Sequence, residues 1–275
     1  MRKITILLLI LMATPLRAAD TPAKEAENKD VSAAKVTIKM NVQPNEARNY
    51  NVSVELKGKT VSESSSEPID LEATYTLKMQ HKYGIREGDG LLPLDVVSSD
   101  AKATLDGQQF AMPSGEFPRY TLLIDNAWKV HSAFGISRTR YAQQSPGLNY
   151  ANLILVYLIP DIDKEHALGE SWQSKVKLPG FADECSVTTV YKSVEDKKGV
   201  KIVNVHQDYV WTEQKLPDGV LVNSKTSVDS ALAIDGGRLI NAHAQSDIVF
   251  KNPASADKGS EEVKAKMTID VSQAK

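Results

Sequence analysis

Histidine next to a carboxylate is the pairing best able to move protons or hold a metal near neutral pH. The chain carries five histidines, His81, His131, His166, His206 and His243, all well separated. Two of them lie close in sequence to an acid, His206 with Asp208 and His243 with Asp247. On strands these spacings put each pair on one face, where it could share a hydrogen bond or supply two metal ligands. A wet strand face built of alternating polar residues gives the same spacing with no chemistry. The densest acidic group is Asp161, Asp163, Glu165, His166 and Glu170. Its alternating oxygens are like the opening of a calcium loop, but His166 stands where that loop needs glycine. A solvated acidic turn after Pro160 is the plainer account.

The remaining reactive types are sparse. There is no Gly-x-Ser-x-Gly elbow, no His-Glu-x-x-His pair and no phosphate-binding glycine loop. Cys185 is the only cysteine, so an internal disulfide is excluded. Its alternation with Val187, Thr189 and Tyr191 makes it a small buried hydrophobe on a strand face. Trp128, Trp172 and Trp211 fall in or beside apolar series, as core or rim residues. The residues therefore nominate no catalytic group, no cofactor site and no metal site.

The elements that would position these residues begin with an address. Arg2 and Lys3 precede an apolar run from Ile4 to Ala13, interrupted only by Thr5, and small residues follow at Ala18 and Ala19. This is the layout of a secretory signal peptide, with cleavage expected after Ala18. The run is too short to span a bilayer, which takes about twenty residues. Without Arg2, Lys3 and Arg17 the basic count falls from 33 to 30 against 35 acids, so the net charge moves from −2 to −5. With no basic block, nucleic-acid binding is excluded. Residues 1–18 read as the signal, 19–34 as a disordered tail and 35–272 as one β-rich domain, periplasmic or secreted, with no membrane-spanning segment left after cleavage.

Period-two patterning dominates that domain. Val36, Ile38, Met40 and Val42 alternate with polar residues, as do Val52, Val54 and Leu56, and Leu71 through Met79. Further strands are expected at about 171–178, 185–195, 200–212, 220–234, 238–250 and 262–272. Turn signals fall at Lys57-Gly58-Lys59, Asp106-Gly107, Asn126-Ala127, Lys198-Gly199, Asp218-Gly219 and Asp235-Gly236-Gly237. An offset of 129 residues carries Asp89-Gly90 onto Asp218-Gly219 and Asp106-Gly107 onto Asp235-Gly236. It raises the reading of two related units, 35–135 and 168–272, joined by 136–167. Within the joining segment, Leu148 to Ile159 is densely apolar and Pro160 stops it. Periodicity does not decide between a short helix packed on the sheet and a strand buried on both faces; a short helix is the expectation. The fold expected is mainly β, a long curved antiparallel sheet, half-barrel or barrel-like, with one short apolar helix.

Leu158-Ile159-Pro160, followed by Leu168-Gly169-Glu170-Ser171-Trp172, and later Asp235-Gly236-Gly237-Arg238-Leu239, resemble a pattern of uncharacterised exported bacterial β-rich proteins. The resemblance spans roughly residues 150–250 and implies neither an activity nor residue roles. In architecture, a curved sheet with a short apolar helix at its mouth is similar to periplasmic lipoprotein carriers, which hold acyl chains in an apolar concavity. That likeness implies a non-catalytic protein that binds an apolar ligand, a lipid or an envelope partner, with Leu153, Val156 and Tyr157 lining the site. Two alternatives stand beside it, a structural or adaptor domain with a filled core, and a hydrolase whose site is assembled across strands.

Overall fold

The computed structural model describes residues 34–63, 67–86, 88–105, 107–111, 119–135, 150–177, 183–215, 221–252 and 260–274. The signal segment, nearly all of the expected tail, Asp106 and the Asp218-Gly219 turn lie outside them. Two meanders make the sheet. The first comprises β2 (Ala47–Ser62), β3 (Ile69–Tyr83), β4 (Leu92–Leu105), the short β5 (Gln108–Ala111), β6 (Arg119–Ile124) and β7 (Val130–Phe134). The second comprises β9 (Ser171–Val176), β10 (Cys185–Lys197), β11 (Val200–Lys215), β12 (Leu221–Ala233), β13 (Arg238–Asn252) and β14 (Glu261–Gln273). The order across the sheet is β7-β6-β4-β3-β2-β14-β13-β12-β11-β10-β9, with β5 on β4, and every pairing is antiparallel. The seam between the meanders is β14 on β2, from Glu261 opposite Ser62 to Gln273 opposite Tyr50. The sheet does not close, and β7 and β9 are its edges.

Alternation determines the two faces. Tyr50, Val52, Val54 and Leu56 on β2, Tyr75, Leu77 and Met79 on β3, and Met267, Ile269 and Val271 on β14 are buried, while their polar neighbours face out. The six strands expected in the second half all form, most of them within two residues of the expected limits. Lys198 and Gly199, at φ 57° and 81°, make the two-residue hairpin between β10 and β11. Asp125 makes the Asn126-Ala127 turn, its carboxylate accepting the N–H groups of Ala127 at 2.9 Å and Lys129 at 3.0 Å.

Two expectations are corrected. Lys57-Gly58-Lys59 is not a turn: β2 runs straight through it, because the alternation continues and β14 pairs with it on both sides. Glycine is needed there for a different reason. A Cβ on Gly58 would lie 2.3 Å from the Lys264 carbonyl and 2.8 Å from Ala265 Cα. The alternating stretch Val36 to Val42 is not a continuous strand either. Only β1 (Lys35–Val36) pairs, with β8 (His166–Ala167), and Lys39 makes one isolated bridge to Asp235. The stretch instead feeds Val36 and Ile38 into the core.

The joining segment does contain a helix, α1 (Tyr150–Leu155), shorter than the apolar run. Val156 and Tyr157 close it with bonds to the carbonyls three residues back, and the chain then runs on without regular structure. All seven residues from Leu153 to Ile159 are buried. A strand on a sheet face buries alternate residues, and a surface helix buries one stripe. Burial of every residue means that the segment is surrounded, as a plug on the concave face. No helix among the described residues is long and apolar enough to cross a membrane.

Gly58→Ala should lower stability by about 1–3 kcal/mol, because the clash is with backbone and not with a flexible side chain. Equilibrium urea unfolding would show this as a lower midpoint at an unchanged slope. A midpoint equal to that of the parent would mean that β2 and β14 do not approach so closely at this point.

Candidate functional site

The plug and the apolar face it covers belong to one core cluster. The plug is held by a few side chains reaching in from well-separated strands. On the β6 side, the hydroxyls of Tyr120 and Tyr157 meet at 2.6 Å. On the β11 side, Tyr209 donates to the Leu158 carbonyl at 2.7 Å, and Gln207 donates to the same oxygen at 3.3 Å and to the Tyr209 hydroxyl at 2.9 Å. On the β9 side, Trp172 donates to the Pro160 carbonyl at 3.3 Å and Ser174 to Asp161 at 2.5 Å. From the stretch ahead of the first meander, Ile38 donates its N–H to the Ile162 carbonyl at 3.2 Å. Backbone groups in a segment without regular structure need such partners once water is excluded.

Under the plug lies a polar cluster that the sequence reading missed. His81 projects from β3 between Tyr50 and Tyr157, at ring-centroid distances of 4.8 and 4.4 Å. Arg48 from β2 is also buried, bonded through Nε to Glu46 at 2.7 Å and through Nη2 to the Gly236 carbonyl at 3.2 Å. Its guanidinium lies over the Tyr83 ring, 4.8 Å from the centroid. Complete burial pushes the His81 pKa down to about 3, and the Arg48 charge acts in the same direction. The ring is therefore neutral at physiological pH, an aromatic member of the core. The readable sign was phase. Arg48 has the same parity as Tyr50 and Val52, and His81 the same parity as Leu77 and Met79.

Of the residues expected to line an apolar site, Leu153 is 2 % exposed, and Val156 and Tyr157 are 1 % exposed. They pack inside the core cluster.

The histidine–acid pairs lie on the outer face. His206 Nε2 is 3.4 Å from Asp208, as the spacing suggested, but its closer partner is Asp229 across the strand gap, with Nδ1 at 2.8 Å. His243 pairs not with Asp247 but with Asp270 on β14, at 2.7 Å. Register decides this. His206, Asp229, His243 and Asp270 stand opposite one another on β11, β12, β13 and β14, where directly opposed residues are the nearest neighbours. Among the described residues no group of three His, Cys, Asp or Glu is arranged to hold a metal ion.

The acidic group is drawn into local contacts. Asp161 holds Lys164 at 2.6 Å as well as Ser174, Glu165 meets Lys35 at 3.1 Å, and Glu170 accepts the Ala167 N–H at 3.3 Å. His166 stacks on Trp172 with centroids 3.6 Å apart. Trp128 and Trp211 are buried and Trp172 half-buried. Cys185 is buried, and burial pushes its thiol up to about 11.

No family model matches the chain, and no curated protein matches it. Solved structures similar to it include one described as lipid–protein interactions in lipovitellin, at 10% identity and a TM-score of 0.46. That match covers 86% of this chain and only 26% of the lipovitellin chain, so this protein spans about a quarter of the length of that neighbour. A putative outer membrane lipoprotein-sorting protein domain from Vibrio parahaemolyticus is similar at 8% identity and a TM-score of 0.13, covering 83% of this chain and 84% of that one. A DUF1329 family protein from Desulfovibrio piger is similar at 9% identity and a TM-score of 0.15, covering 81% and 83%. The likeness to lipoprotein-carrier-like folds is weak.

Two measurements probe this geometry. Because the His81 pKa is lowered in the folded chain, the unfolded chain takes up the extra proton as pH falls below the ordinary histidine value of 6.5. Stability should therefore decline from about pH 6.5 towards 3, with His81 contributing roughly 1 kcal/mol per pH unit. His81→Phe should flatten that decline between pH 6.5 and 5, where most carboxylates remain ionised, as read from unfolding midpoints. An unchanged slope would show that His81 titrates normally. For Cys185, a thiol-reactive dye at pH 8 should label the native protein at only a small fraction of the rate seen in denaturant. Comparable rates would contradict its burial.

Proposed function

We propose that the protein is a non-catalytic binder of an apolar ligand, an acyl chain, exported by its N-terminal signal with cleavage after Ala18 and acting in the periplasm or outside the cell. The observation that carries this reading is an open sheet whose one continuous apolar face is covered by a segment that adds no strand to it. The plug meets the sheet through side chains and through side-chain hydrogen bonds to the Leu158 and Pro160 carbonyls, while Ile162 is held by the Ile38 N–H ahead of the sheet. Such a cover can lift as a unit without breaking any strand pairing. It occupies the place an acyl chain would take, and Leu153, Val156 and Tyr157 become lining residues once it is displaced. The inward positions of the central strands turn to small residues away from the plug: Gly58 on β2, Ala73 on β3, Ala101 and Ala103 on β4, and Ala265 on β14. Small side chains leave width for an extended chain.

A second reading has its own support. The near-complete burial of Leu153, Val156 and Tyr157 suits a permanently filled core, and hence a structural or adaptor domain whose partner is an envelope protein.

Native mass spectrometry of the protein purified from its host envelope separates the two. A binder should carry a bound lipid, and Tyr209→Phe, which removes the hydroxyl bond to Leu158, should raise the occupancy of an added fluorescent fatty acid several-fold. A protein that arrives without lipid and takes up no fatty acid in either form would leave the filled-core reading standing.

A further inference from the structure

The outer face carries a separate feature at the seam between the meanders. Lys57 and Lys59 on β2 stand directly opposite Lys266 and Lys264 on β14. Two like-charged cross-strand pairs thus lie side by side. Directly opposed residues are about 5 Å apart, and residues two apart on a strand about 7 Å. Like charges set directly opposite destabilise a sheet. Lysines of this kind usually guard a sheet edge against unwanted pairing, but β2 and β14 are central strands and have no edge to guard.

The four lysines frame a trough of about 790 Å³ that runs across β2, β14, β13, β12 and β11. Lys225 lines it too, and Asp247 is the one acid among its described lining residues. Lys57 and Lys59 lean outward to Glu72 and Asp70, each at 3.4 Å, and Lys264 leans to Glu262 at 2.6 Å. Exposed pairs of this sort contribute little. Asp247 stands opposite both Lys225 and Lys266, so the trough's described lining sets one acid against five lysines. Gly58, whose own side-chain position faces inward, gives the trough only backbone between Lys57 and Lys59. The floor is apolar at both ends, with Val61 45 % exposed and Val210 42 % exposed, and Val249 between them. A cationic rim around an apolar floor matches an anionic amphiphile, with phosphate on the rim and hydrocarbon against the floor.

We propose that this trough docks the protein on an anionic phospholipid surface, with phosphodiester headgroups seated among Lys57, Lys59, Lys264 and Lys266. The proposal does not depend on the concave face binding a ligand. A carrier and a filled adaptor could each dock this way.

The test is co-sedimentation of the purified protein with vesicles of phosphatidylcholine, with and without phosphatidylglycerol. Binding should require phosphatidylglycerol and weaken as salt rises. Each lysine near such a surface adds about 1 kcal/mol, so affinity should fall about fivefold for every lysine removed across K57Q, K59Q, K264Q and K266Q. The control K78Q/K102Q, on the same face but outside the trough, should bind like the parent. Thermal unfolding guards against misfolding, and relief of the opposed charges should leave the midpoint unchanged or higher. No binding to phosphatidylglycerol vesicles overturns the proposal, as does equal loss in the control variant. It is also overturned if millimolar inorganic phosphate abolishes vesicle binding and raises the unfolding midpoint through the same lysines, which would make this a site for free phosphate.

Discussion

A single sheet with one apolar face cannot stand alone in water, and how that face is covered decides everything else in this protein. A second sheet would make a sandwich, and closure would make a barrel. Here the answer is the chain's own segment, buried on all sides and tied at the Leu158 carbonyl by Tyr209 and Gln207 and at the Tyr157 hydroxyl by Tyr120. These bonds reach the plug from β6 and β11, on opposite wings of the sheet. The wings therefore hold their curvature through a shared object lying between them, although among the described residues no strand pairs one wing with the other.

The polar groups beneath the plug serve the same end. Arg48 and His81 are the costliest residues to bury on this face. Arg48 is met by a carboxylate, a carbonyl and an aromatic ring, and His81 is kept uncharged between two tyrosines. The outer face follows a different logic, since its side chains remain in water. There His206 and His243 find carboxylates across the strand gaps, while at the seam lysines stand opposite lysines.

Much of this was legible in the residues. Period two located the long strands of the second half, and proline at 160 with dense apolar residues before it marked a segment unlike the rest. Two kinds of information were not legible. Register is a property of pairs of strands, so the sequence could link His243 to Asp247 by spacing but not to Asp270 by pairing. Glycine is also ambiguous when read alone. Gly199 serves a hairpin through its positive φ, whereas Gly58 serves the close approach of a neighbouring strand, and both sit beside lysine. The stretch Val36–Val42 shows a third limit. Alternation reports that one side is buried, and a chain lying across the core can satisfy it without belonging to a sheet. For the candidate site, the plug residues were visible as apolar, but the buried Arg48 and His81 announced themselves only through their parity.

The seam also bears on how the chain comes together. Gln273 pairs with Tyr50, a partner 223 positions earlier, while almost every other strand pairs with a neighbour in sequence. Local hairpins form early and distant pairings late. Each meander can therefore assemble as a separate curl, and the two become one sheet only when β14 reaches β2.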